Sequence, residues 1–240
     1  VKLHTTTVGS GPRHIALVHG LGADGTTWKP LVDLALADGG YTITTVDLRG
    51  HGESPRAESY DLADFASDLV ENLPEGLDDI VSHSLGGAVV VQAVERLRPR
   101  RTLYLDPGFR IGLPTTGVRA KLLWGMPFLV PIAFVLGVSK AAKPRLSPEN
   151  EALLRAAQSR WHRGMLTRVL RSVAFSTRPA GTSATPSVVL LSDDAPAVVP
   201  DPLPAELAAD GWDVRRIRGI GHVLYLENAR RVYDAIRDVL

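Results

Sequence analysis

Short apolar runs alternate with amphipathic stretches along the first 106 residues of the chain. Residues 14–19 (HIALVH) are largely apolar and stop at Gly20, the pattern of a short buried strand. A helix is expected from Thr26 or Thr27, with Trp28, Leu31, Val32 and residues 34–36 as its apolar positions. Residues 42–47 (TITTVD) are β-branched enough for a second buried strand. Leu62, Phe65, Ala66, Leu69, Val70 and Leu73 then recur at helical spacing behind the candidate cap Asp61. Residues 79–82 predict a third strand, 84–97 a helix rich in Ala, Val and Leu, and 102–106 (TLYLD) a fourth strand. Short apolar strands joined by helices imply a parallel sheet covered on both faces.

Between Pro107 and Pro186 this rhythm breaks. Helical signals persist, notably over residues 151–173, but no clear strand does. Residues 187–191 (SVVLL) resume the sheet, 213–217 add a strand, and 227–240 close the chain as a helix. The expected organisation is an α/β core, mostly parallel with helices on both faces, formed by residues 1–106 and 187–240. A helical insertion, 107–186, falls between two late strands. Within it, residues 122–138 carry no charge, but Gly125, Pro127, Pro131 and Gly137 interrupt a run already at the short limit for a membrane span. The reading is a kinked apolar lid over a pocket. Trp124, Phe128 and Trp161 are its candidate lining, which fits a largely apolar small-molecule substrate; packing of the insertion against the core would account for the same residues.

Composition narrows the chemistry. At 240 residues, 45% hydrophobic and 22% charged, the chain is globular with a sizeable core. The absence of cysteine removes disulfides, thiolate catalysis, iron–sulfur ligation and thiolate zinc sites. A net charge of +1, with basic residues scattered in short clusters, supplies no global field toward nucleic acid or an anionic membrane. Histidines and carboxylates show no metal-ligand spacing, so neither metal nor cofactor is expected. The opening residues VKLHT lack a basic region followed by an apolar stretch, so no signal peptide is read there and a cytoplasmic location is expected.

The sharpest chemical signal is Ser82-His83-Ser84-Leu85-Gly86-Gly87, which leaves a predicted strand and opens a predicted helix. A serine on so tight a turn needs small residues two positions either side, and Ser82 and Gly86 meet that demand. The turn lifts the hydroxyl above the strand ends, with a helix N-terminus behind it. Earlier in the chain, His19-Gly20-Leu21-Gly22 is a Gly-rich turn able to aim the Leu21 N–H at a developing oxyanion, with Leu85 supplying a second donor. Near the end, Gly219-Ile220-Gly221-His222 places a histidine on a Gly-flanked loop after the last strand, able to reach across the strand ends. His83 is expected to point elsewhere on the turn, and His51, in DLRGHGES, to play a structural part.

Together these segments resemble the α/β-hydrolase family. HGLG after an early strand, DLRGHGES after the next, SHSLGG at the elbow and GIGH near the end occur in the family's order, and the insertion falls where the family places its cap domain. The resemblance implies Ser84 as nucleophile, His222 as its base, and Leu21 and Leu85 as oxyanion donors. It leaves the third triad member open. The family's common pattern after the strand SVVLL is Gly, two residues, then Asp; here those positions hold Ser192 and Ala195. Asp194 and Asp193 lie one and two residues early. The rival is Asp106, at the end of the strand beside the nucleophile strand, where certain haloalkane dehalogenases of the family carry the acid.

The resemblance also bears on reaction type, because family dehalogenases and epoxide hydrolases use Asp at the elbow, and Ser84 argues against both. Serine activated by histidine attacks a carbonyl and passes through an acyl-enzyme. The expected function is a cofactor-independent hydrolase of carboxylic esters, lactones or related acyl compounds. A carbon–carbon bond hydrolase, a perhydrolase or an acyltransferase would use the same residues, and a non-catalytic small-molecule receptor is the contrasting class.

Overall fold

A computed structural model describes residues 1–126, 128–138, 144–176, 185–193 and 202–240, without the side chains of 134–138. Its centre is a seven-stranded sheet in the order β1-β3-β2-β4-β5-β6-β7. The strands are β1 (Thr5–Gly9), β2 (Arg13–Val18), β3 (Tyr41–Val46), β4 (Asp79–His83), β5 (Arg101–Leu105), β6 (Ser187–Ser192) and β7 (Asp213–Ile217). Every pairing is parallel except that of β1, which runs antiparallel to β3 along the sheet edge. The sequence pattern missed β1 because TTTVG has no apolar alternation, and this edge strand is almost wholly exposed.

Successive strand residues point to opposite faces, and the two faces bury separate clusters. Ala16, Val18, Val46, Ile80, Tyr104 and Val189 pack on one side, under α2 (Leu62–Asn72), α3 (Leu85–Leu97) and α8 (Leu203–Ala209). Ile15, Leu17, Ile43, Val81, Leu103 and Leu190 pack on the other, under α1 (Lys29–Asp38), α9 (Leu224–Glu227) and α10 (Ala229–Ile236). Burial on both faces is why these strands read as continuous apolar runs.

Several expected helices are subdivided. The first is preceded by a 3-10 turn, Gly25–Trp28, whose cap Asp24 accepts from the Thr26 N–H; α1 proper starts at Lys29, with Pro30 in its first turn, where a missing N–H costs nothing. The closing helix is two helices, because Asn228 leaves helical geometry and accepts from the Arg231 N–H as the cap of α10. Residues 151–173 likewise divide into α6 (Pro148–Ser159) and α7 (Leu166–Phe175), with Trp161 in the break. The apolar run 122–138 is shared by α4 (Gly117–Gly125) and α5 (Leu129–Val138), and no helix among the described residues is long and apolar enough to cross a membrane. Leu123, Val130 and Leu170 form a small cluster joining α4, α5 and α7.

Candidate active site

The site forms where β4 and β5 leave the sheet side by side. Their register ends at His83 opposite Leu105, so Ser84 and Asp106 emerge as neighbours. Among the described residues, three non-glycine positions have positive φ: Ser84 (50°), Asp106 (44°) and Arg98, which ends α3. Two of the three thus stand at the mouth of the site, where strain is held by surrounding structure. For Ser84 the restraint is explicit. Its N–H donates to the Leu105 carbonyl at 3.2 Å, and its carbonyl accepts from the Gly108 N–H at 2.8 Å and the Gly87 N–H at 3.0 Å.

The small residues around the elbow have named reasons. A Cβ on Gly86 would lie 2.4 Å from the Val18 carbonyl oxygen and 2.6 Å from that of His19, both backbone atoms. Ala at this helical position would otherwise be favoured by about 1 kcal/mol. The backbone clash outweighs that gain, and Gly86→Ala is expected to cost about 2–3 kcal/mol. A fall in melting temperature of about 5–10 °C in thermal denaturation checks this; an unchanged or higher Tm would show that the elbow has room to spare.

His222 arrives on the loop before α9 and bridges the two neighbours. Its Nε2 stands 3.0 Å from Ser84 Oγ and its Nδ1 3.1 Å from Asp106 Oδ2. Asp106 is buried, and Ser192, the last residue of β6, holds it from the far side. The Ser192 N–H donates to Oδ1 at 2.8 Å and its hydroxyl to Oδ2 at 2.5 Å. A carboxylate so placed can only accept, so Nδ1 of His222 carries the proton and Nε2 is free to accept from the serine hydroxyl. The structure therefore brings Ser84, His222 and Asp106 into one hydrogen-bonded chain. Asp193 is exposed, and Asp194 lies outside the described residues.

The sequence reading missed the surrounding brace. His83 does not merely point away: its Nε2–H donates to the His222 carbonyl at 2.8 Å, gripping the loop that carries that histidine. Burial, then the proximity of His222, holds the His83 imidazole well below its ordinary pKa. The HGLG turn is fixed by two further histidines. His19 donates from Nδ1 to the Gly20 carbonyl and accepts at Nε2 from the Leu48 N–H. His51 donates from Nδ1 to the Arg49 carbonyl and accepts at Nε2 from the Gly22 N–H at 3.1 Å. Each must be neutral to do both, and burial lowers the pKa of both.

Of the expected pocket residues, Trp161 comes closest to this turn. Its ring stacks on His51 at 6.0 Å and lies against Gly22, while the adjacent Arg160 forks onto the buried Asp24. Trp124 instead donates to the Pro114 carbonyl and meets Phe175 edge-on, and Phe128 is exposed. The Leu21 and Leu85 N–H groups have no protein acceptor among the described residues. Leu85 is the first residue of α3, where a helix leaves its N–H free. Among the described residues no cluster of His, Asp and Glu is arranged to hold a metal ion.

A mostly parallel sheet covered on both faces, with a strained serine between strand and helix, defines a fold class shared by many hydrolases. Residues 15–235 match the alpha/beta hydrolase family, and the chain belongs to it. An uncharacterized protein of Mycobacterium tuberculosis is 36% identical over 145 residues, covering 54% of this chain and 41% of that protein. A pimeloyl-[acyl-carrier protein] methyl ester esterase of Vibrio parahaemolyticus is 31% identical over 126 residues, covering 51% of this chain and 48% of that one. The matched part thus spans less than half the length of either relative. Among solved structures, an enol-lactonase from Burkholderia xenovorans shares the fold with a TM-score of 0.73 at 19% identity, covering 99% of this chain and 95% of that one. An esterase from Exiguobacterium antarcticum does so at 0.76 and 15%, covering 98% and 94%.

Proposed function

We propose that the protein is a serine hydrolase that cleaves a carboxylic ester, lactone or related acyl bond through an acyl-enzyme. One observation carries this reading: Ser84 Oγ lies within hydrogen-bonding distance of His222 Nε2, whose other ring nitrogen meets the buried Asp106. In this reading Ser84 Oγ attacks the carbonyl carbon as its proton passes to His222 Nε2, and Asp106 stabilises the imidazolium. The carbonyl oxygen becomes an oxyanion received by the free N–H groups of Leu21 and Leu85. Collapse breaks the bond to the leaving oxygen, which takes the proton from His222. Water, deprotonated by the same nitrogen, then attacks the acyl-serine and releases the acid and Ser84.

The insertion 107–186 serves as the cap in this scheme, with Trp161 its nearest aromatic to the HGLG turn. Acyl chemistry is supported by the methyl ester esterase among the relatives and the lactonase that shares the fold; an epoxide hydrolase is also among the relatives. The test is covalent. A fluorophosphonate is expected to add to the Ser84 peptide, read by mass spectrometry, and p-nitrophenyl esters of graded chain length are expected to turn over. Absence of both adduct and turnover would overturn the proposal, and tight ester binding without turnover would favour the receptor class.

A further inference from the structure

The total charge of +1 conceals a strong polarity. Residues 107–186 hold twelve Lys and Arg against two Glu, a formal charge of +10, leaving 15 cationic against 24 anionic side chains in the rest of the chain. Among the described residues, the same segment contains most of the large apolar side chains left in solvent. On α4, Val118 and Leu122 are 82% and 57% exposed; at the start of α5, Phe128 and Ile132 are 66% and 52% exposed. Val118 and Leu122, four residues apart on α4, share a helix face, and Phe128 lies in the turn that enters α5. The opposite sides are already used: Leu123 of α4 and Val130 of α5 are buried with Leu170 of α7. The outward faces therefore have no partner within the described residues. Arg119 and Lys121 are interleaved with this patch, both exposed and without an ion pair among the described residues.

We propose that this face of α4 and α5 docks on an anionic lipid surface, lying on the membrane without crossing it. Charge decides between the possible occupants. A second copy would set two cationic faces against each other, and protein interfaces deplete lysine at their centres. Bulky aliphatic and aromatic side chains among Lys and Arg suit the headgroup boundary instead. There the apolar groups enter the acyl edge while the cations stay among the phosphates. The anionic remainder of the chain is repelled by the same surface, so the polarity orients the molecule with the insertion downward. None of this depends on the chemistry proposed for Ser84.

The test is flotation of the full chain with vesicles of phosphatidylcholine alone or mixed equally with phosphatidylglycerol. Binding to the mixed vesicles is expected, with little to phosphatidylcholine, and salt raised toward about 1 M should weaken it. The double variant Leu122→Glu/Phe128→Glu is expected to lose at least about tenfold in partitioning, and Lys121→Glu a smaller factor. Both leave exposed positions only, so melting temperature should not change. No binding, equal binding to both vesicles, or full binding by the double variant would overturn the proposal. So would sedimentation showing a dimer that the double variant dissolves, or selective binding to an acidic protein with none to lipid.

Discussion

Asp106→Asn is expected to lower kcat for ester hydrolysis by about three to four orders of magnitude while leaving the fold intact. The size follows from which way the new amide must face. The Ser192 N–H donates to Oδ1 of Asp106, and a backbone donor tolerates only an oxygen there. In the variant the amide oxygen is therefore held at that position, and the NH2 takes the place of Oδ2, turned toward His222 Nδ1. The Ser192 hydroxyl can rotate and accept, so nothing opposes this orientation. An NH2 facing Nδ1 forces that nitrogen to accept and moves the ring proton to Nε2. A protonated Nε2 cannot take the proton of Ser84, and the base is lost with no change of shape. Asp193→Asn, at an exposed carboxylate, should stay within about twofold of wild type. Steady-state kinetics with matching circular dichroism melts reads both; near-normal turnover in Asp106→Asn would remove Asp106 from the role proposed for it.

Why the acid stayed open in the sequence is visible in the same residues. Ser84 and His222 sit in motifs whose small neighbours are required locally, so their strand-end positions can be read from the chain alone. Asp106 has no such frame, since DP after a strand is also an ordinary turn. What distinguishes it is tertiary: β4 and β5 end in register, and β6 ends at a serine where the family's usual glycine would offer no hydroxyl. Ser192 was visible as a departure from pattern, but its meaning required the neighbouring strand. The histidine braces were hidden for a similar reason, as each joins segments tens of residues apart. Regular burial made the strands legible. The polar edge strand β1 escaped because register with β3, not hydrophobic alternation, defines it. Charge polarity escaped because a whole-chain sum cancels it.

Acid is expected to destabilise the protein, and the three buried histidines set the sign. His51 and His83 are held well below the ordinary pKa of 6.5 and His19 is lowered too, in each case chiefly by burial. In the unfolded chain they titrate near 6.5, so below that pH the unfolded state binds more protons than the folded one. Stability therefore rises with pH up to about 6.5, and it falls as pH drops below it. Each histidine contributes at most about 1.4 kcal/mol per pH unit, and Asp79, whose carboxyl burial raises to about 6, offsets up to one such share between its ordinary 3.8 and 6. Urea unfolding at a series of pH values from neutral to acidic reads this slope. His51→Gln should reduce it by one histidine's share, because an amide oxygen can still accept from the Gly22 N–H without gaining a proton. A pH-independent midpoint, or a variant slope equal to wild type, would mean that these imidazoles do not stay neutral in the folded protein. The same protonation reaches the site: a charged His51 would turn a second N–H against that of Gly22 and release the HGLG turn. Because folded His51 takes up its proton only well below 6.5, loss of activity by this route should begin at lower pH than the loss of stability.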